Sequence, residues 1–124
     1  MKNSVKLLLE RLVTADGFSS RTLSKMRLVE WHDDRVVCEM PVEKEHLNLF
    51  GTLHGGVTAT LVDVGGSLAI AAKTKSPNTG VSADLSVSYL SSGKLGDNIR
   101  FLFVKLTIGG VLNTVYCIGW RQSV

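Results

Sequence analysis

A chain of 124 residues with a formal net charge of +3 makes one domain, large enough for an apolar core but small for an enzyme working alone. Its basic residues are scattered, without the clustered Lys, Arg and aromatic side chains of a nucleic-acid surface, so no nucleic-acid partner is expected. The two cysteines, Cys38 and Cys117, lack metal-type spacing; both read as reduced, half-buried strand residues of an intracellular protein.

The segment from Lys2 to Thr14 has helical periodicity, ended by Asp16-Gly17. Its Lys2, Lys6 and Arg11 give it something of an organelle-import pattern, but Glu10 lies inside it, and an amphipathic helix belonging to the domain is the better reading. A cytoplasmic protein is expected, with the mitochondrion as the alternative. Leu23 to Trp31 reads as a strand, His32-Asp33-Asp34 as a turn, and Arg35 to Val42 as the partner strand of a hairpin.

The stretch from Gly55 to about residue 74 holds no Pro and is apolar or small almost all round, which predicts a long buried helix. One polar stripe crosses it, formed by Thr60, Asp63 and Ser67 at spacings of three and four. A buried carboxylate is costly unless paired or used, so Asp63 marks a candidate site. Asp63 and the internal Gly65 and Gly66 argue against a membrane span. Each mid-helix glycine costs roughly 1 kcal/mol against Ala, which points to close approach of another backbone, from the sheet or from a second subunit.

Ser76 to Gly80 is loop chemistry. From Val81 to Leu90, apolar Val81, Ala83, Leu85, Val87 and Tyr89 alternate with Ser82, Asp84, Ser86 and Ser88, predicting a strand with one buried face. Ile99 to Ile108 and Val111 to Trp120 read as a hairpin turned at Gly109-Gly110. The predicted order is helix, two strands, long helix, three strands. That is an α+β domain, an antiparallel sheet wrapped on one helix.

Gly55 and Gly56 lie at the start of the long helix, where unpaired N–H groups and the positive helix end suit a developing oxyanion. Asn48 and His54 precede it, and Asp63 follows two turns on. Together they make a kit for hydrolysing an activated acyl group. Taken singly, Asp63 serves equally as a structural acceptor, His54 as a cap, Asn48 as a turn residue and Ser82 as a polar-face strand residue. His32 and His46 read as solvated loop residues without a role.

The run His46-Leu47-Asn48-Leu49-Phe50-Gly51-Thr52-Leu53-His54-Gly55-Gly56, followed by Thr58 to Asp63, resembles the hotdog-fold acyl-CoA thioesterases. The nearest branch looks like the thioesterase superfamily member 2 type, related to phenylacetyl-CoA thioesterases. Val37-Cys38-Glu39-Met40, Gly80 to Asp84 and Lys94-Leu95-Gly96-Asp97 extend the resemblance over nearly the whole chain. It implies a single hotdog domain over residues 1–124, acting without metal or other cofactor on acyl-CoA as substrate. It also implies a homodimer or homotetramer with shared active sites. The expected activity is hydrolysis of medium- to long-chain fatty acyl-CoA, or aryl-acyl-CoA, to free acid and CoA. A non-catalytic acyl-CoA-binding subunit of the same fold is the alternative.

Carried over by position, Asp63 activates the water and the Gly55 N–H polarises the thioester carbonyl. Asn48 and His54 assist departure of the thiolate, and Ser82 reaches across the dimer to hold the water against Asp63. Two departures from the resemblance stand out. Relatives continue past the strand equivalent to Val111–Trp120 into a further strand, whereas this sequence stops at Gln122-Ser123-Val124, so the last strand is expected to be missing or altered. The hairpin Thr107 to Val111 also lacks the basic residue that contacts CoA phosphates in relatives, which leaves the nucleotide contacts unassigned.

Overall fold

The computed structural model describes residues 3–106 and 114–122. Its elements are α1 (Ser4–Thr14), α2 (Phe18–Leu23), β1 (Arg27–Trp31), β2 (Arg35–Pro41), a 3-10 turn (Lys44–His46), α3 (Gly55–Thr74), β3 (Asn98–Leu106) and β4 (Thr114–Gln122). Four strands form one antiparallel sheet in the order β1-β2-β3-β4, with α3 against one face. Among the described residues the sheet ends at β4 on one side, the edge expected to lack a closing strand.

Alternation on β2 and β3 sets the two faces. Val36, Cys38 and Met40 on β2 and Ile99, Phe101 and Phe103 on β3 enter the core beneath α3, where they meet Val57, Leu61, Val64 and Leu68. Burial at 0 % exposure pushes the Cys38 thiol up to about 12, so this cysteine is an inert core residue, more buried than the sequence suggested. On the opposite face Glu39 lies between Arg27 of β1 and Arg100 of β3, its direct cross-strand neighbours. Arg100 donates to Glu39 Oε2 from Nε at 2.8 Å and from Nη2 at 2.5 Å, and Arg27 Nη2 donates to Oε1 at 2.6 Å.

α1 begins at an Asn3 cap whose side chain accepts from the Val5 N–H. It packs on α3 through fully buried Val5 and a bond from Ser4 Oγ to the Ala71 carbonyl of 2.9 Å, as expected for a helix belonging to the domain. Gly65 explains one of the mid-helix glycines. A Cβ there would fall 1.9 Å from the Phe103 ring, so the close approach is by a sheet side chain rather than by a backbone.

Three expectations need correction. The stretch Leu23 to Trp31 is a strand only from Arg27. Phe18–Leu23 instead forms a short helix, because Ser20 Oγ exchanges hydrogen bonds with the Gly17 backbone and starts a turn that nothing before Met26 opposes. Second, α3 is buried on one face only. Its covered residues, Val57, Leu61, Val64, Gly65, Leu68, Ala69, Ala71 and Ala72, recur at helical spacing, and Asp63 lies on the exposed side. Third, Val81 to Leu90 joins no ladder, and its apolar set is largely uncovered: Val81 is 98 % and Tyr89 60 % exposed, and Val87 alone of the set is half-buried. Its alternation is real, but this single chain supplies no strand or core to cover it. The Gly109-Gly110 turn lies outside the described residues.

Candidate active site

The loop between the 3-10 turn and α3 is built on backbone pairing. The Asn48 N–H donates to the Thr52 carbonyl at 2.8 Å, Leu53 to Gly93 at 2.8 Å and His54 to His46 at 2.8 Å. Asn48 Oδ1 accepts from the N–H groups of Phe50 (2.9 Å) and Thr52 (3.1 Å), while its Nδ2 donates to Thr52 Oγ1 at 2.9 Å. Most of the Asn48 amide is thus used to hold the turn, which leaves one amide hydrogen for another acceptor.

At the helix start the donors can be counted. The His54 carbonyl accepts from Val57 at 2.9 Å and from Thr58 at 3.4 Å, and His54 Nδ1 accepts from Gly56 N–H at 2.8 Å. Of the first N–H groups, that of Gly55 alone has no partner among the described residues. It sits at the positive end of a 20-residue helix, the place for an anion or a developing oxyanion. His54 is therefore a cap. With its Nδ1 accepting, the neutral ring carries its proton on the exposed Nε2.

Two turns further on, Ser82 Oγ donates to Asp63 Oδ1. The two residues meet within one chain, not across an interface as the resemblance implied, because the segment after α3 folds back along the helix. The same return brings Tyr89, whose hydroxyl donates to the Gly55 carbonyl at 3.1 Å and whose ring covers the Gly55 Cα. Tyr89 was not among the sequence candidates; its place on the apolar side of an alternating stretch beside the site was the available signal.

The site therefore divides into two stations. At one are the Gly55 N–H, His54 and Tyr89; at the other are Asp63 and Ser82. Eight residues of helix separate Gly55 from Asp63, about 12 Å along the axis and about 80° around it. One chain thus keeps the Gly55 N–H and the Asp63–Ser82 pair more than two turns of helix apart.

A long helix that opens on Gly55-Gly56 and packs against an antiparallel sheet belongs to a known class. Residues 50–119 match the Thioesterase superfamily, and the chain belongs to that family; its fold is the hotdog fold. Human acyl-coenzyme A thioesterase 13 is 42 % identical over 99 residues, 80 % of this chain and 69 % of that protein. The crystal structure of mouse thioesterase superfamily member 2 superposes with a TM-score of 0.83 at 34 % identity, covering 98 % of this chain and 88 % of that one. A Streptococcus mutans protein solved bound to acetyl CoA, 27 % identical, superposes with a TM-score of 0.72 over 78 % of this chain and 76 % of that one.

Proposed function

We propose that this thioesterase hydrolyses medium- to long-chain fatty acyl-CoA or aryl-acyl-CoA in an active site shared by two copies of the chain. The observation that carries the reading is the Gly55 N–H, without a partner among the described residues, on a helix whose Asp63, already paired with Ser82, is eight residues away. The family, the human relative named for acyl-coenzyme A and the neighbour bound to acetyl CoA support the substrate class. The helix geometry supports sharing. A second copy related by a two-fold axis, its α3 running antiparallel, brings its own Asp63 toward Gly55 of the first. The uncovered apolar side chains Phe50 (89 % exposed), Val81 and Leu90, together with the half-covered α3, supply a surface for that second copy.

In this mechanism the thioester carbonyl accepts from the Gly55 N–H. Asp63 of one copy, held by Ser82, takes a proton from water as the oxygen attacks the carbonyl carbon of a thioester bound at the other copy's helix start. The tetrahedral oxyanion stays on the Gly55 N–H while the C–S bond breaks. The Nε2–H of His54 and the remaining amide hydrogen of Asn48 assist the departing thiolate.

Asp63→Asn keeps the hydrogen bond from Ser82 but cannot take the proton. It is expected to fold as the native chain and to lower hydrolysis by about 10²-fold or more. Free-thiol release from a panel of acyl-CoAs, with oligomer mass on the same sample, is the measurement. Unchanged turnover in folded Asp63→Asn removes the assignment, and acyl-CoA binding without thiol release by the native chain removes the catalytic reading.

A further inference from the structure

His46 is 1 % exposed, not a solvated loop residue, and both of its ring nitrogens are engaged. Nδ1 accepts from the Glu43 N–H at 2.9 Å, so the neutral ring bears its proton on Nε2, which lies 2.8 Å from the Thr22 carbonyl of α2 and donates to it. Its own carbonyl accepts from the His54 N–H at 2.8 Å. His54 is thereby held on both sides: the His46 carbonyl accepts from its N–H, and the first-turn N–H groups of Val57 and Thr58 donate to its carbonyl, which shares a peptide with the Gly55 N–H.

We propose that His46 is a positioning residue for the reaction: it ties the loop before α3 to α2 and so sets the direction of the Gly55 N–H. The inference rests on the assignment of that N–H to the thioester carbonyl. His46 meets neither the Gly55 N–H nor the Asp63–Ser82 pair; it acts through the backbone of His54, from whose N–H its carbonyl accepts. A buried imidazole suits this task because it offers an acceptor and a donor on opposite edges of a rigid ring, whereas an apolar side chain would leave the Thr22 carbonyl and the Glu43 N–H without partners.

Two amide replacements separate the role from simple packing. His46→Gln places an amide N–H where Nε2 was and can still reach Thr22. His46→Asn places its oxygen where Nδ1 was, keeps the Glu43 bond and is too short for Thr22. In thiol-release kinetics with an acyl-CoA substrate, the Asn enzyme is expected to lose kcat by about tenfold or more with KM within about twofold. The Gln enzyme is expected to stay within about threefold of the native kcat. The Asn variant should also speed hydrogen exchange of the His54 N–H while leaving amides in the middle of α3 unchanged.

Equal kinetics for the Gln and Asn variants, whether both native-like or both impaired, overturn the proposal. If the Asn variant does not fold, the Gln variant decides alone, and a kcat more than about tenfold down at native melting temperature overturns it. Gly55→Pro serves as the control. It removes the N–H itself, so if it hydrolyses at the native rate the underlying site assignment fails. A dead Gly55→Pro beside fully active His46→Asn leaves that assignment standing and overturns only the role of His46.

Discussion

Glu39 carries its charge on the sheet face opposite α3, almost wholly covered by the two guanidiniums that bond it. Hydrogen bonds from Arg100 foremost, with Arg27 adding to them, hold its carboxyl below the ordinary carboxylate range against the opposing cost of desolvation. The sign follows from linkage. A depressed folded-state pKa stabilises the fold fully above the unfolded value of about 4.3, and that stability is lost as pH falls through the lower folded value. Glu39→Gln is therefore expected to melt lower than the native chain by a constant margin from neutral pH down to about pH 5, with the margin shrinking below about pH 4. Melting temperatures of both proteins across that range test this, and a margin independent of pH would show that the carboxylate charge is not what Arg27 and Arg100 bind.

Among elements, α3 was the most legible and also the most misjudged. Its bounds were visible because His54-Gly55-Gly56 supplies a cap and an opening turn, and because no Pro interrupts it before residue 74. Its environment was not, since a run of small apolar residues looks alike whether one face or all faces are covered; burial follows from what packs on the helix. The alternating stretch after it carries the same lesson. Periodicity says which side of Val81 to Leu90 wants cover, but not which chain provides it. The short helix Phe18–Leu23 escaped because six residues give too few turns for a period to register. Asp63, Gly55 and the loop residues were legible as a motif. The buried role of His46 was not, because its ring partners are the backbone of Glu43 and Thr22. Gly65 gives the element its own test. Gly65→Ala gains about 1 kcal/mol of helix propensity but drives a methyl into the Phe103 ring, and the net expectation is destabilisation of about 1–3 kcal/mol. Denaturant unfolding of Gly65→Ala, alone and with Phe103→Leu, measures it. The smaller side chain should make the added methyl less costly than it is beside Phe103, and equal costs in both backgrounds would show that the ring is not the obstacle.

At the scale of the whole molecule, the proposed mechanism makes the assembly part of the chemistry because Gly55 and Asp63 lie apart on one helix, and two defective chains can test it. Gly55 is the first residue of α3 and follows His54 at φ −63° and ψ 131°, a conformation suited to the residue before a proline. Pro is well tolerated at a first helical position, so Gly55→Pro deletes the one N–H in question at small cost to the helix, with the exposed Tyr89 ring giving way by a few tenths of an ångström. Asp63→Asn disables the other station. Each variant alone should be nearly inactive. In a mixed pair, one shared site joins the intact Gly55 of one chain to the intact Asp63 of the other, while the second site carries both lesions. Random association puts half of the pairs in this mixed form with one working site of two. Co-refolded in equal amounts, the variants should therefore recover about a quarter of the native thiol-release rate per chain. A site complete within one chain predicts no recovery at any mixing ratio, so the rate of the mixture, measured with its oligomer mass, decides whether the long helix serves its own loop or its partner's.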